Sequence, residues 1–232
     1  MASGRRIWLI LFPVFLAVAA IIVVGIVVYG GSALSGADSD RQDQEALSKI
    51  AQIYAGNASA GDKAKQIEAQ LGFVRGQDAK AAQGRKLATL YNQVGKEILA
   101  EGHLTAPLDA ERALNRGYQL DPANMEVIAS LASLYFKVAK DEQTLPDRAK
   151  IYEKSIDWWK RAAAAAKSDA AARDRFLERA GEVYYAEAND YGSASKYDDA
   201  DRVAREGIGV VPDGSPIKKK LEEFQFTIRR SR

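Results

Sequence analysis

The sequence predicts an all-α protein: one N-terminal transmembrane helix, then a solenoid of helical hairpins, then a C-terminal capping helix. Three observations carry this. Residues 7–29 form an uncharged apolar run. Between 88 and 212 the same paired helical faces, with small residues in matching places, occur three times. Residues 216–228 form a single amphipathic stripe behind a Ser-Pro start. With 47% hydrophobic and 28% charged residues, the 232-residue chain suits one globular domain plus a segment of another kind.

The run at 7–29 is long enough to cross the ~30 Å hydrocarbon core as a helix. Trp8 and Tyr29 lie near its ends, where amphipathic rings favour the headgroup layer, and Pro13 falls in its first turns. Arg5 and Arg6 precede it, and Asp38, Asp40, Asp43 and Glu45 follow with Arg41. The positive-inside rule then leaves residues 1–6 in the cytoplasm and sends the bulk of the chain across the membrane. A cleaved signal peptide is the competing reading, since 33–37 holds small residues resembling a cleavage site, but the run exceeds the usual h-region of ~7–15 residues. Residues 30–40, with Gly30, Gly31, Ser32, Ser35 and Gly36, read as a flexible tether.

Residues 41–87 read as a helical stalk or a degenerate repeat. Leu47, Ile50, Ile53 and Tyr54 give an amphipathic helix over 41–55, closed by Gly56-Asn57. Gly61-Asp62 opens a short helix marked by Ile67 and Leu71 and interrupted by Gly72 and Gly76.

The three units span about 88–121, 125–167 and 174–211. In the first, Tyr91, Val94, Gly95, Ile98 and Gly102 make the leading face, and Ala110, Leu114 and Gly117 the trailing one, ended by Asp121-Pro122. Ile128, Leu131, Ala132 and Tyr135 restart the pattern, answered by Ser155, Trp159 and Ala162. The third unit has Leu177, Ala180, Gly181 and Tyr184, then Ala200, Ala204, Gly207 and Pro212. Stretched loops are expected at 141–146 and 189–196. Gly95, Ala132 and Gly181 would let the paired helix approach, while Tyr135, Tyr184 and Trp159 fill the remaining space. Ser215 caps a final helix starting at Pro216, whose stripe Ile217, Leu221, Phe224 and Ile228 covers the last open apolar face.

These spacings, the Leu120-Asp121-Pro122 turn and the Lys-Tyr-Asp-Asp-Ala run at 196–200 resemble the tetratricopeptide repeat family, over roughly 88–212. Lys167 departs from it, standing where a proline closes the family's unit. The resemblance implies stacked hairpins whose leading helices line a concave groove for a protein segment. Carried over position by position, the groove residues are Asn92 and Lys96, then Ser133, Phe136 and Lys137, then Glu178, Glu182 and Tyr185. Glu178 and Glu182 would repel an anionic tail, so the family's carboxylate clamp is not expected. Trp158 lies beside the core position of Trp159, which makes it a candidate exposed contact.

Chemistry is harder to assemble. Cysteine is absent, which removes disulfides, thiolate ligands and a cysteine nucleophile. The lone His103, in a loop after Gly102, makes neither a histidine relay nor a multi-histidine metal site. Neither a Gly-Lys-Ser/Thr phosphate loop nor Gly-x-Ser-x-Gly occurs. Asp198-Asp199 and Glu222-Glu223 are sequence neighbours, so on a helix they diverge by about 100°. No enzyme, cofactor or metal is therefore expected. Apart from Arg5 and Arg6 the acids balance the bases, within a net charge of +2, which argues against nucleic acid.

The expected function is a single-pass inner-membrane adaptor, its C-terminal domain in the periplasm or an equivalent extracytoplasmic space. It would bind a protein partner and help assemble or chaperone an envelope or membrane complex. The layout resembles the ancillary periplasmic subunit of the Sec translocon and repeat proteins assisting cytochrome c maturation. The alternative is a structural accessory subunit held in a multi-subunit membrane complex by its transmembrane helix, where Gly25, Gly30 and the small residues of 17–20 offer packing surfaces.

Overall fold

The computed structural model describes residues 31–102 and 105–231, with side chains from Ser39 onward. The expected membrane segment at 7–29, the short N-terminus and His103 lie outside the described residues. Among those described, no helix is long and apolar enough to cross a membrane. The described chain is all-α, in the order α1 (Gly31–Ala55), α2 (Ala60–Leu71), α3 (Gln77–Glu101), α4 (Ala106–Leu120), α5 (Met125–Asp141), α6 (Leu145–Ala165), α7 (Ala170–Ser193), α8 (Tyr197–Val210) and α9 (Pro216–Arg230).

Helix starts follow from capping chemistry. Ser59, Asn124, Asp169 and Ser215 each accept a backbone N–H of the first turn, from Asp62, Val127, Ala172 and Ile217. Proline occupies the first turn of α4, α6 and α9, where a missing N–H costs nothing. The start of α3 is capped from a distance: the N–H groups of Arg75 and Gly76 donate to the Asp43 carboxylate of α1 at 2.7 and 2.8 Å. Those two bonds hold the Asp43 carboxyl below its ordinary pKa.

Each helix packs on the next, and contacts also join α3 to α5 and α7 to α9. Buried Ala46, Ile50, Ala64, Ile67, Leu71, Val74 and Leu87 bind α1 and α2 to α3. Residues 41–87, read as a stalk or degenerate repeat, thus comprise α1, α2 and the first turns of α3 packed on one another. A second cluster holds Leu114, Val127, Leu131 and Leu134 of α4 and α5. The largest runs from Ile128 and Ala132 of α5 through Tyr152 and Trp159 of α6 and Val183 of α7 to Leu221 of α9.

The small-under-large packing occurs at Gly95, where a Cβ would meet Leu114 of the paired helix; a Cβ on Gly181 would instead overlap Val211, just after α8, and crowd Ile217 of α9. Ser155 of α6 is buried and donates its hydroxyl to the Ala132 carbonyl of α5 at 2.8 Å. Such contacts fix how near two helix axes come.

Three boundaries differ from expectation. The stretch 31–40, read as a tether, is helical and continues into α1. Extending a nucleated helix is cheap, and Ala33, Leu34, Ala37 and Arg41 offset the glycine cost of about 1 kcal/mol each. The helix containing Ala88 starts at Gln77, because 77–83 is rich in strong helix formers. The loops at 141–146 and 189–196 are not stretched: α5 and α6 are joined by 142–144, and α7 and α8 by 194–196. The extra residues lengthen α6 to 21 residues and α7 to 24.

Candidate partner-binding surface

The expected groove residues fall into two groups. Lys96 of α3 and Ser133 and Lys137 of α5 are exposed on helices that pack against each other. The Ser133 hydroxyl donates to the Ala129 carbonyl of its own helix at 2.9 Å. Phe136 is half-buried, tilted against Tyr152 with ring centroids 6.1 Å apart and covered by Lys140 Nζ at 4.2 Å. Its ring packs towards α6 and is not a free contact.

The α7 residues stand apart. Among the described residues α5 and α7 do not pack side by side; α6 contacts both. Glu178 and Glu182 are half-buried, and Glu182 pairs with Arg179 at 2.7 Å. Tyr185 meets Phe224 of α9 edge-on, with centroids 5.8 Å apart, so the terminal helix covers a position expected to face a partner.

One further expectation is corrected. Asn92 is 3% exposed, and its Oδ1 has no hydrogen-bond partner. It shares the α3 stripe of Ala88 and Gly95, the stripe turned towards α4, so the register that makes Gly95 a packing residue buries Asn92 too. Trp158, the candidate exposed contact, is half-buried, meeting Tyr118 of α4 edge-on at 4.9 Å with the Arg161 guanidinium over its ring at 4.8 Å. The ring joins two successive hairpins.

Charged networks hold the hairpins in place. Glu68 of α2 accepts from Tyr91 of α3 and from Arg116 of α4, the latter through Nε at 2.6 Å. Burial, then the Glu68 hydrogen bond, pushes the Tyr91 phenol up to about 12. Asp190 of α7 accepts from Arg148 at 3.0 Å and from the Tyr152 hydroxyl at 3.1 Å. Asp201 of α8 takes Gln225 and Arg229 of α9, each at 2.9 Å. Burial works to raise the Asp201 pKa, and its hydrogen bonds outweigh this and lower it.

Periodicity did not point to one surface feature. Two adjoining depressions of about 390 Å³ each run along the α1–α2 hairpin and share Lys49 and Gln70. Gln42, Gln52 and Gln66 add amides, and Phe73, 64% exposed, stands at one end. Its sequence signal was Phe73 in the Gly72–Gly76 break. Among the described residues no group of three or more His, Cys, Asp or Glu side chains is arranged to hold a metal ion. Neither a protein-family model nor a curated protein matches the sequence.

Proposed function

We propose that the chain is a membrane-tethered adaptor of the tetratricopeptide-repeat kind, which holds a protein partner on its helical array outside the cytoplasm. The observation that supports this best is the small residue set under a large one where paired helices meet. Gly95 of the leading helix α3 lies under Leu114 of α4, Gly207 of the trailing helix α8 lies under Tyr184 of α7, and Leu221 and Ile228 of α9 close the end of the stack. Helix pairs packed this closely expose long helix faces on a fixed frame, and such faces take extended or helical protein segments. The apolar run at 7–29 supplies the tether, which would raise local concentration by confining both partners to one surface.

The face offered to the partner is that of α3 and α5, on which Lys96, Ser133 and Lys137 are exposed. Its cations fit a partner segment carrying acidic residues. The test is co-isolation of full-length protein from its native membrane, comparing the parent with Lys96→Glu/Lys137→Glu. The double reversal should lower partner recovery about tenfold, equivalent to ~1.4 kcal/mol. Unchanged recovery would remove this face from the account.

A further inference from the structure

A buried carboxyl group lies at the junction of α6, α7 and α8. Glu187 of α7 is 4% exposed, and its neighbours Val183, Tyr184 and Ala188 belong to the largest hydrophobic cluster. The charges acting on it are mostly of its own sign: Glu153 from α6, Asp190 from α7 and Glu206 from α8. Arg202 of α8 is the cation among them, and it already pairs with Glu206 at 3.0 Å and Asp199 at 3.6 Å. Arg148 of α6 is held by Asp190 and the Glu142 carbonyl, and the Tyr152 hydroxyl also points to Asp190. Tyr191 adds a phenol that burial and Glu187 push upward. On α9, Lys218 and Arg229 are engaged by Asp213 and Asp201.

We propose that this junction is a proton-controlled latch: protonated Glu187 lets the α7–α8 hairpin close on α6, and its ionisation loosens that contact. A neutral carboxylic acid can be buried beside the apolar cluster to which Val183, Tyr184 and Ala188 of the same helix belong. A carboxylate there loses its hydration and faces three other carboxylates. The closed form is therefore the protonated one.

The direction with pH follows. Burial foremost, then Glu153, pushes the folded group up from 4.5 to about 7. Between those values the opened segment ionises while the closed one keeps its proton, so opening becomes about tenfold easier per pH unit and levels off near 7. Asp43, Asp147, Asp201 and Asp213 have lowered pKa values, so their contributions change below 3.8 and leave this window alone.

Hydrogen exchange of the full-length protein, corrected for intrinsic rates, should show amides of α7 and α8 opening more readily from pH 4.5 to about 7 in the parent. Glu187→Gln should flatten this dependence, and α2 should follow it in neither. In carboxyl-labelled parent protein the Glu187 carbon should titrate near 7, which needs no variant to fold. A Glu187 carbon titrating near 4.5, or a variant with the parent's pH dependence, would overturn the latch.

Discussion

Gly95 of α3 sits directly beneath Leu114 of α4: a Cβ at Gly95 would lie 2.7 Å from Leu114 Cγ. The branching carbon of a fully buried leucine cannot swing aside as a chain end could, so the helices must separate or Leu114 must leave its rotamer. Gly209 of α8 is the opposite case, with nothing within 4 Å of the same position.

The pair gives a signed prediction. Gly95→Ala should destabilise by about 1–2 kcal/mol, overpacking exceeding the ~1 kcal/mol gained in helix propensity. Gly209→Ala, near the end of its helix, should stabilise by about 0.5 kcal/mol. Urea unfolding of the full-length chain measures both. Equal stabilisation would mean the α3–α4 approach is looser than described.

Ser195 offers a second. It has φ 60°, the left-handed region, and follows α7. Its N–H donates to Gly192 O and that of Lys196 to Tyr191 O, each at 2.9 Å, the two bonds of a Schellman ending. A side chain there carries strain that glycine lacks, so Ser195→Gly should raise stability by about 1 kcal/mol. A drop in the urea midpoint would contradict that geometry.

Alkaline pH tests the joint between α2 and α3. The Tyr91 phenol stands at about 12 against an ordinary 10. Above pH 10 the unfolded phenol ionises first, so stability is full below 10 and falls until Tyr91 itself ionises near 12. Tyr91→Phe should remove that part of the decline, read as the difference between the two stability-pH curves. Superimposable curves would place Tyr91 in solvent.

The hairpins were legible because their signals are local. Asp121-Pro122 and Ser215-Pro216 punctuate the chain, and the glycines recur at helical spacing. The binding face was less legible because it depends on how helices sit against others. Tyr185 has the spacing of a groove residue, yet α9 returns to cover it through Phe224. Asn92 counts as polar in any pattern, while its place between Ala88 and Gly95 turns it inward. Glu187 left a trace that could have been followed: it stands three residues after Tyr184 and seven after Ala180, in step with the buried stripe. Glycine content at 31–40 suggests a tether, and the low cost of prolonging an adjacent helix overrides it.

The adaptor reading is tested most directly by where a neighbour touches the array in its own membrane. A photo-crosslinking residue placed singly at Lys96, at Lys137 and at exposed Lys65 of α2 would report this in the full-length protein. The same protein adduct at Lys96 and Lys137, with none at Lys65, is the predicted result. No adduct on α3 and α5, or equal labelling at all three positions, would contradict it.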